Sequence, residues 1–253
     1  MNREQLIIFD LDDTLVDTSD LYWRARTAFV NLIGPLVRAD PDQIVNTFED
    51  IDSIHIKEDG FIPTRYLKTM LKTYENLNAA SGSNRAILRE IRKCANLIRT
   101  DFPKPIDGAE KLLNWAFPRF DLALITRGEK SLQAKKIEDV GFRRYFRLME
   151  TVERKTAESF RNVIARLGFV PRNSWVIGDS IQTDINPGIE AGARCIWYAY
   201  RHKKYFWKQE HGHSAVGDFF EVSNLREAIP ILEQSLSRAE DRHAKNHGIT
   251  SQR

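Results

Sequence analysis

Short apolar runs recur along this 253-residue chain, at residues 6–9, 122–125, 175–177 and 195–198, with a weaker one at 147–149. Each is too short for an ordinary helix and is flanked by polar or turn-forming residues, so each reads as a buried strand. Helical patterns separate the later runs. Residues 108–117 place Leu112, Leu113 and Ala116 on one face behind Asp107 as N-cap. Residues 129–140 stop at Gly141. Residues 156–167 space Phe160, Val163, Ile164 and Leu167 at helical intervals and stop at Gly168. Strands alternating with helices of this length imply βαβ units, and hence an α/β fold with a parallel sheet flanked by helices.

The rhythm breaks between the first and second runs. Residues 21–37 are amphipathic, residues 66–77 and 85–98 are patterned as further helices, and 59–63 (DGFIP) reads as a turn. No strand is expected in this stretch. It predicts an all-helical insertion over residues 18–100, with 17–19 and 100–105 as linkers. The α/β core then covers 1–17 and 101–234. A length of 253 residues suits one core domain plus such an insertion. Residues 235–253 are polar and charged with little periodicity, which predicts a frayed helix or disordered tail.

Thirty-eight basic residues against 35 acidic ones leave a net charge of +3, spread along the chain. That distribution excludes the basic stripe of a nucleic-acid binder and favours a small anionic ligand. Cys94 and Cys195 are far apart and form no CxxC pair. They exclude a disulfide framework or zinc knuckle and fit a reducing compartment. The opening MNREQLIIFD has too few apolar residues for a signal peptide, and no run approaches a membrane span. A soluble cytoplasmic protein is expected, monomer or homodimer.

The first apolar run continues into FDLDDTLVDT, which sets Asp10, Asp12 and Asp13 at the end of a buried strand. Crowded carboxylates repel and are costly to desolvate, so a positive partner is required. Ligands of a parallel α/β sheet bind outside the carboxyl ends of its strands. There the sequence supplies Asp10 and Asp12 after the first run; Thr126, Arg127 and Gly128 after the second; and Gly178-Asp179-Ser180 with Asp184 after the fourth. Lys155 opens the helix before that fourth run. Asp10, Asp179 and Asp184 converging on one edge call for a hard divalent cation. Magnesium fits, because it takes few carboxylates and leaves room for phosphate oxygens. Asp10 and Asp12, two apart on extended backbone, would point the same way, one as nucleophile and one as acid/base.

Four segments, D10-L-D12-D13-T14-L15, T126-R127-G128, Lys155 and G178-D179-S180-x-x-x-D184, resemble in order the four motifs of the haloacid dehalogenase superfamily. The resemblance implies a Rossmann-like core with a small helical cap after the first motif. It implies a phosphatase acting on a small phosphorylated substrate, with magnesium as cofactor. Asp10 would attack phosphorus and form an aspartyl-phosphate. Asp12 would protonate the leaving oxygen, deprotonate the hydrolytic water and lend its carbonyl to the metal. Asp10 and Asp179 would also ligate magnesium, and Asp184 would do so directly or through water. Thr126, Arg127 and Lys155 would bind the phosphoryl group, although Arg127 and Gly128 are themselves ordinary loop residues. Asp12 and the acidic fourth motif argue against dehalogenation, whose enzymes lack the second aspartate.

Alternatives within the superfamily are a phosphomutase, or a phosphonatase using a cap lysine, with Lys57, Lys68 and Lys72 as candidates. A non-catalytic binding protein on the same scaffold would lack one of these residues, and none is missing. Lys155 lies in a mixed charge run in which Arg154 is the competing assignment. In the cap, His55, Lys57, Arg65, Tyr66 and Lys68 are expected mainly as surface residues. His202, His211 and His213 lie in a basic, aromatic segment expected to be a surface loop, with Tyr205, Phe206 and Trp207 packing down. Gly188 and Gly192 are expected to serve helix packing and a helix end.

Overall fold

The computed structural model describes residues 3–60, 62–78, 84–201 and 214–237. Strands β1 (Leu6–Phe9), β2 (Asp121–Arg127), β3 (Leu148–Val152), β4 (Ser174–Gly178), β5 (Arg194–Tyr198) and β6 (Phe220–Val222) form one sheet in the order β3-β2-β1-β4-β5-β6. Every neighbouring pair is parallel. The apolar runs are strands because both faces of the sheet are covered, which demands continuous rather than alternating hydrophobicity. Successive side chains then serve opposite layers. Ile7 and Phe9 pack into one apolar cluster with Leu122, Leu124, Trp175 and Ile177. Leu6 and Ile8 pack into another with Ala123, Ile125, Val176 and Cys195.

Helix α5 (Ala109–Ala116) lies over the first of these clusters, through Leu112 and Leu113. The helical residues 228–237 lie there too, through Ala228 and Leu232. Helix α6 (Lys130–Asp139) adds Ile137. Over the other cluster lie α7 (Ala157–Arg166), through Phe160, Val163 and Ile164, and the turn leading into α8 (Asn186–Glu190), through Ile185. The expected helices α5, α6 and α7 sit within a residue of their predicted ends, with one difference at α5. Gly108, in the left-handed region at φ 86°, occupies the N-cap position. Asp107 instead accepts hydrogen bonds from Arg226 and Asn224.

Ahead of α5, four more helices lie between β1 and β2: α1 (Thr18–Val37), α2 (Pro41–Asp59), α3 (Pro63–Leu77) and α4 (Arg85–Thr100). They bury an apolar cluster of their own around Phe29, Phe48, Tyr66 and Ile91, joined from the core by Leu132 of α6. Helix α2 has no counterpart in the sequence reading, although Asp40-Pro41 is a good start and Ile44, Phe48 and Ile51 are helically spaced. Its many polar residues dilute that stripe. Arg99 at the end of α4 pairs with Glu129, before α6, through two hydrogen bonds of 3.0 and 2.5 Å. The insertion is thereby tied to the loop that follows β2.

Buried charge corrects the expectation of a plain polar surface here. His55, Arg65 and Tyr66 are buried. Arg65 pairs with Asp52 at 2.7 Å, Thr69 donates to Asp52 at 3.0 Å, and His55 Nδ1 lies 3.0 Å from the Thr69 hydroxyl. The facing surfaces of α2 and α3 place these groups together. Lys57 and Lys68 are exposed as expected, Lys72 is exposed too, and Lys68 pairs with Glu58 and Asp59. Residue Ser235 is buried against Gln5 through two hydrogen bonds, so the chain is anchored to 237, where the description of the tail ends. His202, His211, His213, Tyr205, Phe206 and Trp207 lie outside the described residues.

Candidate active site

The sheet order changes direction at β1: β2 and β3 extend to one side, β4, β5 and β6 to the other. In open parallel sheets, ligands bind outside the carboxyl ends of the strands at such a switch point, here β1 and β4. Register makes the two strand ends level. Phe9 is paired with Ile177, and the Asp10 amide donates to the Ile177 carbonyl at 2.9 Å. Asp10 therefore emerges beside Gly178-Asp179.

Beyond Asp10 the chain turns back sharply. Asp13 takes the left-handed conformation at φ 60°, and its carboxylate accepts from the Ser19 amide at 2.7 Å. The third carboxylate of FDLDDT is thus a turn residue. Val16 then bridges to Asp12 and Pro105, and Asp17 caps α1 by accepting from the Asp20 amide at 3.0 Å. Both linkers of the insertion meet here, since the Asp17 amide donates to the Lys104 carbonyl at 2.8 Å.

Carboxylate oxygens of Asp10, Asp179 and Asp184 all lie within 4.8 Å of one another. Lys155 donates to Asp10 and, at 2.6 Å, to Asp184. Its side chain is 5% exposed, whereas Arg154 is exposed to solvent. Thr14 donates to Asp10 at 3.1 Å and receives the Asp179 amide at 3.0 Å. Trp197, level with Gly178 in the sheet, donates its indole N–H to the Asp179 carbonyl at 2.8 Å. Asp184 lies in a π-type turn, Ile181–Ile185, rather than at an α-helix start, and accepts from the Ser180 amide at 3.2 Å.

Gly178 is what lets Asp184 reach the site. A Cβ there would stand 2.5 Å from Asp184 Cβ and Cγ, closer than real contacts allow. Gly178→Ala is expected to cost about 1–3 kcal/mol of stability, the usual penalty for overpacking. It should also displace the Asp184 carboxylate, and thermal unfolding would register the loss of stability.

Asp12 keeps different company from Asp10. Lys136 Nζ lies 2.5 Å from its Oδ1, the Thr18 hydroxyl 2.5 Å from the same oxygen, and Gln133 Nε2 2.6 Å from Oδ2. The same Gln133 nitrogen reaches the Thr126 hydroxyl at 2.6 Å and the Arg127 carbonyl at 2.9 Å. Thr126, buried at the end of β2, thus adjoins Asp12. Arg127 ends β2 opposite Val152 of β3.

The two aspartates differ electrostatically as well. Burial, opposed by Lys155 and reinforced by Asp184 and Asp12, pushes Asp10 up to about 7. Burial also acts against charge on Asp12, but Lys136 and the hydrogen bonds from Lys136, Thr18 and Gln133 overcome it and hold the carboxyl below the ordinary range. Lys155 is raised, because Asp10 and Asp184 outweigh its own desolvation. Sequence reasoning assigned no role to Thr14, Thr18, Gln133, Lys136 or Trp197. For Gln133 and Lys136 a signal existed: both are polar yet fall on the buried face of α6 with Leu132 and Ile137.

Residues 7–198 match the family model for haloacid dehalogenase-like hydrolases, and the chain belongs to that family. It is therefore a hydrolase. N-acylneuraminate-9-phosphatase of Mus musculus is 25% identical over 208 residues, covering 78% of this chain and 83% of that one. The pyrimidine 5'-nucleotidase YjjG of Escherichia coli is 29% identical over 240 residues, covering 89% and 96%. Among solved structures, a haloacid dehalogenase-like hydrolase from Xanthomonas campestris superposes with a TM-score of 0.73 at 21% identity, over 94% of this chain and all of that one. The magnesium-bound YfnB of Bacillus subtilis gives 0.62 at 20% identity, over 92% and 100%.

Proposed function

We propose that this chain is a magnesium-dependent phosphatase that hydrolyses a small phosphorylated metabolite through an aspartyl-phosphate on Asp10. One observation carries the reading: Asp10 and Asp12, two residues apart, are held by separate sets of partners. One carboxylate faces the Asp179–Asp184–Lys155 cluster, the other the Thr18 hydroxyl of α1 and the Lys136 ammonium and Gln133 amide of α6. A bound cation together with Lys155 would hold Asp10 ionised as a nucleophile, and a bound phosphate dianion would raise Asp12 so that it carries the proton of an acid/base. The carboxylate donor set suits a hard cation with oxygen ligands, and Asp10, Asp179, Asp184 and the Asp12 carbonyl would hold magnesium. Such an ion supplies charge neutralisation for the phosphoryl oxygens.

The steps follow from the chain's own residues. An Asp10 oxygen bonds to phosphorus as the ester oxygen departs with a proton from Asp12. Asp12, now ionised, takes a proton from water while that water attacks phosphorus, and the Asp10–phosphorus bond breaks to release phosphate. Thr126 and Lys155 bind phosphoryl oxygens and Arg127 borders that site, which suits a reaction governed by positioning and charge. We assign residues 18–100 as the cap and 1–17 with 101–234 as the core. Cap closure would exclude bulk water during the first step.

The named relatives support a phosphate ester as substrate. Exposure of Lys57, Lys68 and Lys72 favours hydrolysis over the phosphonatase alternative. No helix among the described residues is long and apolar enough to cross a membrane. Both cysteines are free, in keeping with a cytoplasmic setting. The test is phosphate release from sugar phosphates, N-acylneuraminate 9-phosphate, pyrimidine nucleotides, phosphoglycolate and an aryl phosphate, with magnesium and with EDTA. Release that requires magnesium is expected; none from any ester would overturn the reading.

A further inference from the structure

We infer that Lys136 and Gln133, on one face of α6, are positioning residues that aim the Asp12 carboxylate at the leaving-group oxygen. The inference deepens the phosphatase reading and rests on it. Three observations carry it. First, Lys136 is 4% exposed, and its hydrogen bonds go to Asp12 Oδ1 and, at 3.4 Å, to the Thr18 hydroxyl. Burying an ammonium is costly, and an apolar residue of similar size often stabilises a fold as well as a buried ion pair does. Lys136 neutralises Asp12, but an apolar pair would serve the fold as well as the two charges do; an acid/base that must stay aimed needs both. Second, both Asp12 oxygens are engaged: Oδ1 by Lys136 and Thr18, Oδ2 by Gln133. The carboxylate is therefore fixed in rotation as well as in place.

Third, the same Gln133 nitrogen contacts Thr126, so the acid/base and the proposed phosphate-binding hydroxyl share one mount. Residues 133 and 136 are three apart and so lie on one side of the helix. Gly128, at φ 132°, bends the chain between Thr126 and α6, and a Cβ there would lie 3.6 Å from the Gln133 amide. The leaving oxygen is bonded to the phosphorus that Thr126 would grip. Fixing Asp12 relative to Thr126 fixes it relative to the bond that breaks.

Leaving-group chemistry separates this role from a structural one. An alkyl alkoxide needs a proton as it departs; p-nitrophenolate leaves without one. The measured quantity is kcat/KM, which covers the steps up to alcohol release. Lys136→Met is expected to lower kcat/KM for the best alkyl phosphate of the panel by roughly 100-fold, the scale of a lost general acid, and that for p-nitrophenyl phosphate by less than about fivefold. Lys136→Gln should show the same split, and serves if the methionine variant does not fold. Equal losses on the two substrates, or no loss on either, would overturn the inference while leaving the phosphatase reading intact. A wild-type enzyme inactive on both esters would overturn the two together.

Discussion

Asp10→Asn is expected to abolish turnover, by roughly four to six orders of magnitude, and to leave the fold in place. The amide has nearly the carboxylate's shape but is a far weaker nucleophile toward phosphorus. Its one remaining oxygen can still accept from Lys155, while the NH2 that replaces the other oxygen no longer accepts from Thr14. It also removes one negative charge from a buried cluster in which burial and the neighbouring acids raise the Asp10 carboxyl. Stability should therefore hold or improve in the absence of metal. Steady-state phosphate release, with circular dichroism and thermal unfolding as controls, makes the measurement. A variant that retained ordinary activity would move the nucleophile elsewhere.

The second large effect concerns Lys155. Its ammonium lies between Asp10 and Asp184, and the three side chains are at most 6% exposed. Lys155→Met keeps the length of the stem but leaves two buried carboxylates facing each other. Removing one partner of a buried ion pair typically costs about 3–5 kcal/mol. Thermal unfolding in EDTA should show a loss of that order, and activity should fall with it because phosphoryl oxygens lose a cation. Saturating magnesium should restore part of the stability, since an ion bound among the three carboxylates replaces the missing charge. Equal melting temperatures for variant and wild type in EDTA would show that Lys155 does not neutralise the cluster.

What the sequence made legible follows from how locally each feature is encoded. The continuous runs around Ile7, Leu124 and Val176 could not be amphipathic strands, and they form the centre of a doubly covered parallel sheet. Asp10, Thr126, Lys155, Asp179 and Asp184 could be singled out because position after a strand is a local property, and the sheet brings Asp10, Lys155, Asp179 and Asp184 into contact. Other features depended on docking between distant elements. Strand β6 is three residues long with Phe220 and Glu221 exposed, so it has almost no pattern of its own. His55 and Arg65, which lie in a buried network with Asp52 and Thr69, were expected at the surface, because nothing in α2 or α3 alone says that each is the other's cover. Gln133 and Lys136 belong to no strand end. They meet Asp12 because α6 packs beside the turn after β1, a contact spanning more than 120 positions of sequence.

The covalent step is the centre of the account, and trapping it is the most direct test. Enzyme mixed with a phosphate-labelled substrate from the panel and quenched in acid within a single turnover should carry the label, and proteolysis with mass spectrometry should place it on Asp10. Label on another residue, or none while phosphate is released at full rate, would contradict the mechanism.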